Sequence, residues 1–199
     1  PYFAGAFIVL SGCMCGFSRS NTKRGGLCLA FAVGVSIVTI IGSQMGLGRI
    51  DIYFGILHLL GFSMLFCGIF NFALKRVNKW VGLILSAALF IFTYGIPRGY
   101  TDFVDLSGII PLRWYSNGAL FPLGITKETF FSADYFPILP WFFLFLVGYY
   151  FYHFHIIEKF SKITKPSRLR PLAFLGRHAL IIYVVHQPLI YLICMPFTF

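Results

Sequence analysis

Two histidines stand where an ionisable side chain is costly. His58 lies in the apolar run Phe54-Gly55-Ile56-Leu57-His58-Leu59-Leu60-Gly61, and His186 in Tyr183-Val184-Val185-His186-Gln187-Pro188. A titratable group inside an apolar span is a functional candidate by default, because burial is unfavourable unless a partner or a reaction retains it. Imidazole there suits proton transfer near neutral pH, or a plain hydrogen bond from a neutral ring to a neighbouring helix. Asp51, Gly55 and His58 are spaced i, i+4, i+7, which on a helix puts them on one face. Seven helical residues set His58 about 10 Å from Asp51, and twelve from Phe174 set His186 about 18 Å along its own helix. For a hydrocarbon core of about 30 Å, the two estimates bring both imidazoles into one layer.

Asp134 precedes Tyr135-Phe136-Pro137-Ile138-Leu139-Pro140-Trp141. Two prolines suit a helix start, and an acid there meets the positive end of the helix dipole. It is read either as an N-cap or as an acid able to bind an amine or pair with an imidazole. The candidate catalytic set is therefore His58, His186, Asp51 and Asp134. A second set is cationic: Arg19, Lys23, Arg24, Arg177 and His178 could meet a phosphorylated ligand, or else lipid phosphate. His153 and His155, at the end of an aromatic run, read as interfacial anchors.

These side chains need elements to carry them, and the composition specifies which kind. Hydrophobic residues make up 58% of the 199-residue chain and charged ones 11%, a balance foreign to soluble domains of this length. Six apolar stretches emerge, at 2–17, 26–43, 52–74, 80–96, 136–156 and 174–194. The expectation is an all-α, polytopic membrane bundle, since only helices and closed barrels satisfy their backbones in lipid. Loops at 18–26, 74–79 and 157–177 hold 12 of the 16 Lys and Arg. The intervening loops hold Arg49, Arg98, Arg113 and Lys127 against five acids. Positive charge stays in the cytoplasm, so the alternation predicts direction as well as number of spans. The net charge of +10 thereby belongs to topology and anionic lipid rather than to nucleic acid. The connection 97–135, apolar and rich in Gly, Pro and aromatics, is expected outside, folded back over the bundle mouth as a re-entrant loop. Five cysteines fall in apolar stretches without metal-ligand spacing and read as small core residues. No phosphate loop, Ser-His-Asp signature or metal cluster occurs in the sequence.

Several segments resemble the heparan-alpha-glucosaminide N-acetyltransferase-like membrane family, in its compact bacterial branch. They are the run Pro1–Gly12 with Ser18-Arg19 and Lys23-Arg24-Gly25, then Phe54–His58, Asp134–Trp141 and the closing stretch 172–188. Within that stretch, Gly176, Tyr183 and His186 are also similar to a motif of the broader membrane O-acyltransferases. The resemblance covers nearly the whole chain apart from the long loop. It implies one acetyltransferase domain over 1–199, with acetyl-CoA as cytoplasmic donor and an amino sugar or other glycan as acceptor on the far side. It implies no metal, an inner-membrane location in a bacterial cell, and the bilayer as partner, with self-association left open. The family's usual catalytic histidine lies before the segment matching Pro1, so a further helix upstream is expected. CoA carries several phosphates and needs cations on the cytoplasmic side, and an amine nucleophile must be neutral to attack, so both requirements agree with the residues above. Alternatives are an O-acyltransferase acting on a surface polymer or lipid-linked sugar, and a proton-coupled transporter or flippase. No inverted repeat of the transporter kind is visible.

Overall fold

The computed structural model describes residues 2–46, 48–98, 114–115, 118–127 and 129–154, together with Ile182 and Val185. The chain divides into two compact units, Pro1–Ile156 and Ile157–Phe199; all elements below belong to the first. Among the described residues the fold is all-α. Six helices follow in order: α1 (Tyr2–Phe17), α2 (Asn21–Gln44), α3 (Ile56–Ile69), α4 (Asn71–Arg76), α5 (Lys79–Thr93) and α6 (Ile138–Tyr152). No strand is present there, only one isolated parallel bridge between Phe54 and Tyr135.

The first five apolar stretches each fall on a helix. Among the described residues only α2, with 24 residues, is long and apolar enough by itself to cross a membrane; α1, α3, α5 and α6 have 14 to 16 residues. The sixth stretch, 174–194, lies outside the described residues except for Ile182 and Val185. Local chemistry sets the ends. Ser20 Oγ accepts the Lys23 N–H at 3.4 Å to start α2, and Asn78 Oδ1 accepts the Trp80 N–H at 2.9 Å to start α5. In α6, Leu139 is non-helical, as expected for a residue preceding proline.

In α2 and α5 burial runs opposite to that of a soluble core, whereas α3 and α6 bury large side chains such as Leu59 and Phe145. The buried positions of α2 are Gly25, Cys28, Ala32 and Gly42, whereas Leu27 and Val38 are 60% and 69% exposed. In α5 the buried residues are Gly82, Ser86 and Thr93, with Ile84 and Leu85 facing outward. Small residues inside and large apolar ones outside are what helices in lipid require, because close backbone approach replaces the hydrophobic drive. The main packed pairs are α2 with α3, α1 with α6, and α5 with α6. Where α2 meets α3, a Cβ on Gly25 would stand 2.6 Å from the Leu65 nitrogen. Where α1 meets α6, a Cβ on Gly148 would overlap the Val9 carbonyl, and one on Gly12 the Phe145 carbonyl. Ser63, Ser86 and Thr93 donate their hydroxyls to carbonyls four residues back, each at 2.7 Å, so none brings an unsatisfied donor inside.

Part of the long connection is ordered against the bundle end. Gly118–Leu123 forms a 3-10 helix, and Leu120, Tyr115 and Leu139 pack on buried Ile96 and Ile125. The Tyr115 hydroxyl donates to the Ile96 carbonyl at 3.0 Å. Gly124, at φ +102, turns the chain back where a side chain would be strained. The stretch 109–112, also expected at the interface, lies outside the described residues.

Candidate functional site

The expected face of Asp51, Gly55 and His58 does not form. Helix α3 begins only at Ile56, because Gly55 is extended (φ −93, ψ −175) and the residues before it pair elsewhere. The Ala133 N–H donates to the Asp51 carbonyl at 2.8 Å, and the Phe136 N–H to the Phe54 carbonyl at 3.1 Å. Residues 51–55 therefore run beside 132–136 rather than continuing the helix. The helical offset of about 10 Å between Asp51 and His58 lapses with it.

Asp134 also acts differently from the expectation. Helix α6 starts with Pro137 at its N-cap, and the Asp134 carboxylate serves another helix, 78 residues away. Its Oδ2 accepts the Ile56 N–H at 3.0 Å, capping α3 at the end where the dipole favours an anion. A Cβ on Gly55 would collide with that same oxygen, so glycine is what lets the carboxylate in.

His58 occupies the first turn of α3. The Gly55 N–H donates to His58 Nδ1 at 3.3 Å, and the ring stacks on Phe54 with centroids 5.3 Å apart. A backbone N–H can only donate, so Nδ1 carries no proton and the neutral ring holds its hydrogen on Nε2. His58 is thus a hydrogen-bond donor through Nε2. Accepting a proton would displace the Gly55 N–H, which argues against its acting as the base. Ser132 completes the crossing: its Oγ accepts the Tyr53 N–H at 3.2 Å and donates to the Asp134 carbonyl at 2.8 Å. Thr39 Oγ1 takes the Ile52 N–H at 3.2 Å. No local spacing marks Ser132 or Thr39, since both act across distant segments.

Asp51 lines a neighbouring cavity of about 360 Å³ with Arg49, Tyr53, Gly118, Phe121, Thr129, Phe130 and Phe131. Its Oδ2 accepts from Ser43 Oγ at 3.1 Å, and the Arg49 guanidinium sits 4.6 Å over the Phe131 ring. Phe121 and Phe130 stack at 5.6 Å, with Tyr135 edge-on to Phe130 at 5.1 Å. The Tyr135 hydroxyl donates to the Phe121 carbonyl at 2.6 Å. Burial pushes that phenol well above its usual range, so the bond persists through all physiological pH.

At the other end of α3, a cavity of about 410 Å³ opens among the basic loops. Arg19 and Lys75 line it, with Asn21 at the start of α2 and Tyr149, Tyr152 and His153 at the end of α6. Of the expected cation set, Arg19 alone among the described residues lines this cavity; Lys23 and Arg24 are exposed outside it. Arg177, His178 and His186 lie outside the described residues. His153, expected as an anchor, is a cavity residue whose Nδ1–H donates to the Tyr149 carbonyl at 3.1 Å. Four cysteines, Cys13, Cys15, Cys28 and Cys67, are buried and free. Cys13 donates to the Gly148 carbonyl at 3.1 Å and Cys28 to that of Leu57 at 3.4 Å, which agrees with a packing role. No group of metal-ligating side chains occurs among the described residues.

The sequence model of the family described as heparan-alpha-glucosaminide N-acetyltransferase, catalytic, matches residues 2–188. No curated protein and no solved structure matches significantly.

Proposed function

The chain belongs to the heparan-alpha-glucosaminide N-acetyltransferase catalytic family, an acetyltransferase family, and from that premise we propose a multi-pass transfer of acetyl across a membrane. Cytoplasmic acetyl-CoA is the donor, and an amino sugar or other glycan on the far side is the acceptor. The location is a bacterial inner membrane, with the basic loops facing inward. The observation that carries this reading beyond the family match is the placement of two cavities at opposite ends of α3. One is flanked by Arg19 and Lys75, the other by Asp51, Arg49 and aromatic rings.

The aromatic cavity suits a sugar: ring faces for its C–H surface, Asp51 for an amine or hydroxyl, Arg49 for an oxygen. In the reaction the amine nitrogen attacks the thioester carbonyl carbon. The C–S bond breaks, CoA leaves as thiolate, and the amine proton passes to a base. His58, a donor through Nε2, is assigned to the acetyl oxygen, where charge develops. Asp134 positions His58 through the α3 cap. The base is a different group from His58. Mass spectrometry of the purified protein with isotopically labelled acetyl-CoA and a panel of amino sugars tests the reading. A labelled N-acetyl sugar is expected; an O-acetyl product would move the chain to polymer O-acylation, and no transfer to any acceptor would refute it.

A further inference from the structure

The cavity at the basic end contains two polar atoms that the protein itself leaves unanswered. Tyr149 is only 2% exposed, and its hydroxyl is buried without a hydrogen-bond partner. Asn21 spends its amide N–H on the Cys15 carbonyl at 3.0 Å and leaves Oδ1 buried and unpartnered. Both residues line the same cavity as Arg19 and Lys75. A buried polar atom without a partner is unfavourable, and native proteins rarely keep one without a reason. Two in one cavity, beside two cations and the N-terminus of a 24-residue helix, describe a site complementary to a definite ligand.

The required chemistry can be read from the unmet groups. The cations and helix end call for phosphate. Asn21 Oδ1 can only accept, so the ligand must also present an N–H or O–H. Tyr149 can give or take one hydrogen bond. Along α3, Gly68 at this cavity lies ten residues, roughly 15 Å, from His58. The ligand therefore needs a polar head and an extended amide-bearing arm.

We propose that this cavity binds the phosphopantetheine portion of an acyl thioester, with Arg19 and Lys75 on phosphate and Asn21 and Tyr149 on the amide-bearing arm. The assignment rests on the acetyl-CoA reading above and adds residues that the charge pattern alone leaves out. Lipid phosphate shares the head-group chemistry but offers no such arm.

The test is direct binding of desulfo-CoA to the full chain in nanodiscs, by calorimetry, alongside thermal unfolding of each variant. Tyr149→Phe removes an unpartnered hydroxyl, so the free protein should be as stable as the parent or more so. Its affinity for desulfo-CoA should fall about three- to tenfold. Lys75→Ala should weaken binding by about tenfold or more, Lys75→Arg by less, and Arg76→Ala, in the same last turn of α4 but stacked on Phe72, should change little. Unchanged affinity in both Tyr149→Phe and Lys75→Ala would overturn the proposal. So would competition by phosphatidylglycerol nanodiscs that abolishes desulfo-CoA binding in the parent while zwitterionic ones do not, since the cavity would then be a lipid head-group site. Residue-dependent binding without acetyl transfer would uphold this cavity and refute the transferase reading. Transfer with binding indifferent to these residues would do the reverse.

Discussion

His58 and His153 present opposite faces of the same ring. One receives a backbone N–H on Nδ1; the other gives its Nδ1–H to a carbonyl. The first can donate from Nε2, and the second, when neutral, has its lone pair there. His58→Ala should lower kcat about 10²–10³-fold, the range for losing one donor on a developing oxyanion. His58→Gln, whose amide N–H reaches a comparable position, should retain more turnover and the parent's pH profile. A Gln variant as slow as the Ala variant, with its acidic limb gone, would make His58 a base after all. Candidate residues were legible here because an imidazole among Leu and Ile stands out. Their roles were not, because the tautomer depends on Gly55, whose extended conformation is set by contacts far along the chain.

At the level of elements, the Asp134 cap on α3 is the joint that holds the site. Replacing it with Ala should cost about 0.5–2 kcal/mol of stability, while Asn, an equally good cap, should restore most of that. Thermal unfolding in detergent reads both variants. Equal stability of Asp134→Ala and parent would mean that the cap is dispensable. A Cβ at Gly148 meets backbone rather than a flexible side chain, so Gly148→Ala should force α1 from α6 and cost about 1–3 kcal/mol. Unchanged unfolding and elution would show that the contact is slack. Composition alone located these helices, since every apolar stretch within the described residues carries at least one. The start of α3 escaped that reading: hydrophobic periodicity is local, and Asp134 lies 78 residues from Ile56. The parting of Asp51 from the His58 face has the same origin.

Across the whole molecule, the proposed topology would put Lys23 and Arg76 in the cytoplasm and Lys127 outside. Single cysteines at these positions should react with an impermeant thiol reagent on intact cells only at 127. The background is favourable, because the four described native cysteines are buried; Cys194 would be replaced beforehand. Labelling at 76 but not at 127 would invert the topology and exchange the two cavities between compartments. The inside-out burial of α2 and α5 was implicit in the composition, since a chain so apolar has too few polar residues to cover its surface. The two cavities were not, because each draws its walls from segments that only folding brings together.

The bond from Asp134 to Ile56 also has a consequence in time. A ribosome adding about 5–20 residues per second needs roughly 4–16 s to pass from Ile56 to Asp134. Throughout that interval α3 exists with its first N–H uncapped, and its seat depends on the contact of Gly61 and Leu65 with α2. The start of α3 is therefore completed late, by a segment returning to an early helix. A nascent chain released before Asp134 would contain α1 to α5 and leave the start of α3 without the carboxylate that caps it.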